Sequence, residues 1–262
     1  MKVFMPAMAL AMLLLLQPSA RADEWNKHWS VGPNPELRIN AGDAAVTVEA
    51  AETNAIDATL TTRGWSIGSS GVRVTEHQSG NSVEIDIKAP TLHFDLGNHS
   101  IRLKVRVPRE VIANVHTGDG SIELRGLHGP LRADTGDGSI QGDDLDGTLD
   151  ANTGDGSVHI AGRFDNGQLH TQDGSVNLDA RHGSRLQSDW RVQTGDGSVR
   201  VKLPSDLSAD LELRTGDGHI SVNLPLTTSG NQNEHEMRGK LNGGGPLLTV
   251  RTGDGSINVS SL

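Results

Sequence analysis

The chain contains no cysteine and no tyrosine, and only three of its 262 residues are phenylalanine. Without cysteine there is no disulfide bracing, no lipid attachment at a thiol and no cysteine-based metal site. So few aromatics exclude the stacking platforms that single-strand nucleic-acid binders use. They also argue against a conventional core of large side chains. Basic residues are scarce too, 23 against 33 acidic ones, so the surface repels nucleic acid and anionic lipid headgroups. Beyond the first 22 residues no long apolar run follows, and no transmembrane segment is expected in the remaining chain. The 11 histidines are scattered, with no HExxH or paired spacing that suggests zinc. G-x-S-x-G elbows, phosphate loops and EF-hand loops are absent as well.

Residues 1–22 read as a signal peptide. Lys2 opens it, Val3 to Leu16 form the apolar stretch, and Ala20-Arg21-Ala22 supplies the cleavage signal, with Asp23 as the expected mature N-terminus. Removing Lys2 and Arg21 leaves 21 basic against 33 acidic residues, a formal net charge of −12. The protein is therefore expected to be exported to the periplasm, the cell surface or the medium.

What is abundant is glycine, 32 residues, and much of it recurs in order. The pattern Thr-x-Asp-Gly-Ser/His-Ile/Val begins at Thr117, Thr135, Thr153, Thr171, Thr194, Thr215 and Thr252, at spacings of 18, 18, 18, 23, 21 and 37 residues. The longer steps read as insertions at His182–Asp189, Pro204–Ser208 and Pro225–Pro246, the last a flexible excursion rich in Gly, Asn and Thr. Between turns, residues alternate apolar and polar, as in Leu131-Arg132-Ala133-Asp134-Thr135. Alternation broken by Gly and Asp is strand, turn, strand. A second turn falls in mid-unit, at Gly126–Gly129, Asp143–Gly147 and Asp165–Gly167. One unit of this size does not bury enough to stand alone, so the units are expected to stack.

These features predict an all-β, single-domain β-solenoid, parallel and β-helix-like, with coils of about 18 residues. Residues 23–110 form its irregular first part, with strands expected at Glu36–Asn40, Ala45–Glu49, Ile56–Thr61, Gly71–Glu76, Ser82–Lys88 and Ile101–Val107. Asn40-Ala41-Gly42-Asp43-Ala44 resembles a degenerate copy of the turn. Residues 111–262 form the repetitive part, with the flexible insertion near 225–246, and the final strand, Ser256–Ser260, is expected to cap the stack. An antiparallel β-meander is the alternative, because Asp-Gly also favours tight hairpins. Stacking of Ile122, Ile140 and Val158 in register decides between them.

In the turn, glycine is expected to supply positive φ and aspartate to bond its own downstream backbone. A parallel stack also lines up Asp119, Asp137, Asp155, Asp173, Asp196, Asp217 and Asp254 about 4.8 Å apart. Neighbouring carboxylates at about that distance repel by roughly 0.8 kcal/mol in water. Either each turns back onto its own amides or cations sit between them. The seven are thus candidate calcium ligands, although the mid-unit turns lack the consistent aspartate of a calcium roll. No other cofactor is expected. The turn departs from its pattern at Gln172 and His219, read as drift at an exposed corner. Trp190, just before the fifth turn, is read as filling a wider core layer.

Val105-Arg106-Val107-Pro108, then Val111–Val115, then Thr117-Gly118-Asp119-Gly120-Ser121-Ile122 resemble the bacterial DUF4097, or "putative adhesin", domain. In that family a V-x-V-P strand leads into repeated T-x-x-G-x-I turns. The resemblance runs from Leu37 to Val259 and implies a β-helix-like repetitive fold related to cell-envelope domains, with no catalytic residues to carry over. The expected function is a non-catalytic, adhesin-like binding or scaffolding protein whose partner is an envelope protein or glycan. Self-association through exposed end coils is a further expectation. The alternatives are a polysaccharide-active β-helix enzyme, needing a groove of mixed Asp, Arg and Lys away from the turns, or a calcium-responsive repeat protein.

Overall fold

The computed structural model describes residues 22–90, 99–228 and 233–262; all but the last residue of the expected signal peptide lies outside them. The described residues are all-β. The first part holds β1 (Ala22–Ser30), β2 (Glu36–Asn40), β3 (Ala45–Ala50), β4 (Ala55–Arg63), β5 (Arg73–Ser79), β6 (Ser82–Lys88) and β7 (Ser100–Val107). The middle holds β8 (Ile112–Thr117), β9 (Ile122–Arg125), β10 (His128–Thr135), β11 (Ile140–Thr153), β12 (Val158–Thr171) and β13 (Val176–Ala180). The rest comprises β14 (Trp190–Thr194), β15 (Val199–Leu203), β16 (Ala209–Thr215), β17 (Ile220–Asn223), β18 (Leu226–Thr228), β19 (Glu236–Leu241), β20 (Leu247–Thr252) and β21 (Ile257–Ser261). All six strands expected before residue 110 are present, β2 and β6 with the same bounds.

The strands form two walls. The first runs β5–β6–β2–β8–β10–β11–β12–β14–β20–β16–β19–β18, the second β1–β4–β7–β3–β9–β11–β12–β13–β15–β21–β17. β11 and β12 belong to both, because each bends round one edge of the stack without breaking. On the opposite edge the chain passes from wall to wall through the Thr-Gly-Asp-Gly-Ser turns. Ile122 pairs with Ile140 and Ile140 with Val158, all parallel and in register. The repeat is therefore β-solenoid-like, and the meander alternative does not describe it. Antiparallel pairing occurs where the stack begins and ends, as in β1–β4, β5–β6 and β16–β19.

Alternation sets the core. In β7, Ile101, Leu103, Val105 and Val107 are buried while Arg102, Lys104 and Arg106 face out. The same pattern in every coil gives one continuous apolar column between the walls. At its N-terminal end Trp25 and Trp29, with ring centroids 6.2 Å apart, close the column. There the two wall edges are tied by Lys27–Glu76 (2.6 Å) and by Gln78 donating to the Ser30 carbonyl (3.0 Å).

The last repeat in sequence is not last in space. β20 lies between β14 and β16, and β21 between β15 and β17. The final strand is thus an interior layer, not a cap. Burial explains the order. Leu248, Val250, Ile257 and Val259 are fully buried, whereas β17 buries Ile220 and leaves Val222 half-exposed. The more apolar coil takes the inside position and the more polar one faces the end. Residues 225–246 make the detour, β18 and β19 forming an antiparallel extension of β16.

Candidate binding site

The seven repeated turns lie along one edge in the spatial order 117, 135, 153, 171, 194, 252, 215. Their threonines, not their aspartates, are inside: each is at most 7 % exposed. Each hydroxyl points at main-chain carbonyls of the coil before it. Thr153 donates to the Gly138 carbonyl at 2.8 Å and lies 3.2 Å from that of Gly136. Thr194, Thr215 and Thr252 lie 2.7 Å from the equivalent carbonyls of Gly174, Gly255 and Gly197. The same oxygen accepts an amide of its own turn, as Gly174 N–H to Thr171 (3.1 Å). Thr117 begins the ladder on Gly42 and Ala44, so the degenerate turn stacks directly beside the first of the seven. At the far end, where no further threonine follows, the His235 ring donates from Nδ1 to the Gly218 carbonyl at 3.1 Å.

This packing changes the role of the turn glycines. Those with positive φ include Gly126, Gly129 and Gly147 of the mid-unit turns, but none of the Thr-Gly-Asp-Gly glycines. What those glycines supply is proximity. A Cβ on Gly138 would lie 2.0 Å from the Gly120 carbonyl oxygen, far inside contact distance, and the same clash recurs at the second glycine of every turn. Ala44 stands at that place in the degenerate turn and is itself fully buried.

All seven candidate aspartates are exposed. None of the seven carboxylates makes a hydrogen bond or ion pair with another described residue, so the expected side-chain bond to the local backbone is not formed. Three of the carboxylates overhang the next coil: Asp119 Oδ1 is 3.6 Å from where a Cβ on Gly136 would sit, Asp137 Oδ1 3.8 Å from that on Gly154, and Asp196 Oδ1 3.6 Å from that on Gly253. Asp43 starts the same column. Among the described residues, no group of three or more His, Asp or Glu side chains has an arrangement that holds a metal ion. Gln172 and His219 are exposed at the same corner. Trp190 is 2 % exposed and packs on Phe164 at 5.8 Å, inside the core.

The opposite edge carries a charge network that the sequence reading did not single out. Arg163 holds Asp146 through two hydrogen bonds and also Asp165 (2.9 Å); Arg109 and Arg181 both reach Asp144, at 2.8 and 3.2 Å. The Arg163 hydrogen bonds keep the Asp146 carboxyl below the usual carboxylate range, against the opposing effect of burial. The signal in the sequence was faint, because these residues fall in mid-unit turns with no fixed spacing.

Each wall presents a groove. On the second wall a groove of about 530 Å³ is lined by Glu123, Arg125, His159, Asp179, Arg200 and Lys202. This is the mixed composition expected of a polysaccharide-active groove. Arg125 is paired with Glu123 (2.9 Å) and Lys202 with Asp179 (3.1 Å), while Arg200 donates to the neutral amide of Asn177 (2.9 Å). On the first wall a groove of about 410 Å³ runs across five coils, from Ile112 and Asn114 through Pro130 and Thr148 to Gln168 and Asp189.

With this geometry in place, the comparisons are direct. The family model Toastrack DUF4097 matches residues 149–260. Residues 149–260 are thus similar to the Toastrack DUF4097 family. The Toastrack match takes in the turns at Thr153, Thr171, Thr194, Thr215 and Thr252, with both of the interior strands β20 and β21 nearly complete. No curated protein matches the chain. Among solved structures it is similar to a "putative adhesin" from Bacteroides fragilis, with 12 % identity over 94 % of this chain and 100 % of that one, at a TM-score of 0.45. It is similar also to a "putative lipid binding protein" from Parabacteroides distasonis (14 % identity, 90 % and 96 % coverage, TM-score 0.43). A "putative cell adhesion protein" from Clostridium sporogenes is a third (13 %, 92 % and 100 %, 0.34).

Two predictions follow from the edges. Thr153→Val keeps the shape but strands the buried Gly138 carbonyl, so it should cost about 1–3 kcal/mol in denaturant unfolding, and Gly156→Ala a similar amount through overpacking. Asp155→Asn should change stability by no more than about 0.5 kcal/mol. A larger loss for Asp155→Asn than for Thr153→Val would give the turn's structural role to the carboxylate. On the other edge, a folded-state pKa held low stabilises the protein above the unfolded carboxyl value and is lost as pH falls through and below it. The melting temperature should therefore drop below about pH 4, less steeply in Asp146→Asn. Parallel curves for the two proteins would count against the Arg163–Asp146 pair as a contributor.

Proposed function

We propose that the protein is an exported, non-catalytic envelope protein, a binding or scaffolding solenoid built on a basic coil of about 18 residues. The observation that carries this reading is the pair of flat walls on which polar side chains form unbroken rows from coil to coil. Arg38, Asn114, Arg132, Asp150, Gln168 and Arg191 are successive register partners on the first wall. Thr47, Glu123, Gln141, His159, Asn177 and Arg200 succeed one another on the second. A long, regular and chemically mixed surface suits contact with an extended partner more than it suits chemistry at one point. Catalysis needs a local cluster of groups with unequal protonation behaviour, and here Arg125 and Lys202 are held in ion pairs and Arg200 by a neutral amide. Export rests on the leader-like residues 1–22, and the family resemblance to envelope domains agrees with it.

A binding screen tests the reading: the purified protein against fractionated envelope, including outer-membrane proteins, peptidoglycan and surface polysaccharide. Saturable retention by at least one fraction is the expected result. Background retention by all of them would remove the binding role.

A further inference from the structure

We infer that the groove on the first wall binds a linear, uncharged glycan laid along the stack; the inference rests on the binding-module reading above and names its ligand class. The groove is two rows wide. In the outer row Ile112, Pro130, Thr148 and Asn166 follow one another, Thr148 pairing with both Pro130 and Asn166, and Pro130 standing one residue before the Leu131–Ala113 pair. Ile112 is 42 % exposed, one of only two large hydrophobic side chains so exposed among the described residues. With Pro130 and the Thr148 methyl it makes an apolar strip on an otherwise polar wall.

Beside the strip lie Asn114, Asn166 and Gln168, all lining the groove. None of their amides has a hydrogen-bond partner among the described side chains and backbone. Two amides nearby on the walls are used: Asn152 donates to Asp134 (3.0 Å) and Asp150 (2.9 Å), and Asn177 accepts from Arg200. A free amide offers donor and acceptor side by side, the complement of a sugar's vicinal hydroxyls, and the apolar strip suits the C–H face of a ring. Rows repeating about every 4.8 Å meet a polymer that also repeats along its length.

Charge decides between neutral and acidic chains. Arg132, the cation in the groove, is held by Asp134 (2.7 Å) and Asp150 (3.2 Å). Glu36 and Asp189 stand at the two ends of the outer row. The groove thus has no spare positive charge and repels uronates. Its volume, about 410 Å³, lies within the range of small-molecule sites and holds a short stretch of the chain at a time.

The test is affinity electrophoresis of the purified protein in gels containing soluble galactomannan, mixed-linkage β-glucan or dextran, with polygalacturonate as the acidic control. At least one neutral polymer should retard the protein, and polygalacturonate should not. The Asn166→Ala/Gln168→Ala double variant should bind at least tenfold more weakly with an unchanged melting temperature. Gln141→Ala, on the other wall, should bind as the parent does. No retardation by any neutral polymer, retardation by polygalacturonate alone, or an unaffected double variant would each overturn the inference. Retention of the double variant by an envelope fraction at parental strength would overturn the groove assignment while leaving the binding-module reading intact. Background in both assays would remove both.

Discussion

The stack depends on one contact, the hydroxyl of a buried threonine against the carbonyl of the coil before it. A turn cannot be drawn into a dry edge unless its carbonyls find donors, because an unpaired buried carbonyl costs about as much as a mutation that unfolds a marginal protein. Thr135, Thr153, Thr171 and their equivalents supply that donor from the next layer. The bond is therefore between coils, and it requires the coils to come close. Close approach in turn forbids a Cβ at the second glycine. Threonine and glycine are two halves of one constraint. Aspartate, between them, is left to face water.

The strands and their parallel register were legible in the sequence because alternation and a fixed spacing are long, additive signals. The role of the turn was not. Gly-Asp-Gly has a ready local explanation in positive φ and side-chain capping, and nothing within a single turn distinguishes that from close packing against another coil. The distinction lies in contacts such as that of Gly120 with the Ala44 carbonyl, which join residues far apart in the sequence. The order of the last layers was hidden for a related reason. Position along the chain suggests that Ile257–Ser261 ends the stack, but burial ranks Val259 and Ile257 above Val222, and the excursion at 225–246 is long enough to let burial prevail. The seven aspartates line one edge, as the register of their threonines requires. The free amides of Asn114, Asn166 and Gln168 share a groove only once four coils are superposed, which no local pattern reveals.

Rigidity at the core and function at the surface follow from the same repetition. A ladder that fixes every coil on its neighbour also fixes the outward residues, so rows such as Asn114–Arg132–Asp150–Gln168 are held at a constant interval with little left to order on binding. Pairing of Arg132, Arg163 and Arg200 with nearby acceptors pins the long side chains, leaving the short amides as the groups with unused hydrogen-bonding capacity. The acidic edge and the pairing of Arg132 are the features on which the proposal of an uncharged, hydroxyl-rich partner rests.

The layered account is tested most directly by its least expected feature, the place of the final coil. The chain has no cysteine, so introduced pairs report without interference. Ser198 and Ser256 flank each other, since Val199 donates to the Ser256 carbonyl at 2.9 Å, whereas the coil of Ser256 separates Ser198 from His219. Under mild oxidation, Ser198→Cys/Ser256→Cys should form an intramolecular disulfide and Ser198→Cys/His219→Cys should not. The reverse outcome would mean that the coils stack in sequence order and would contradict the account.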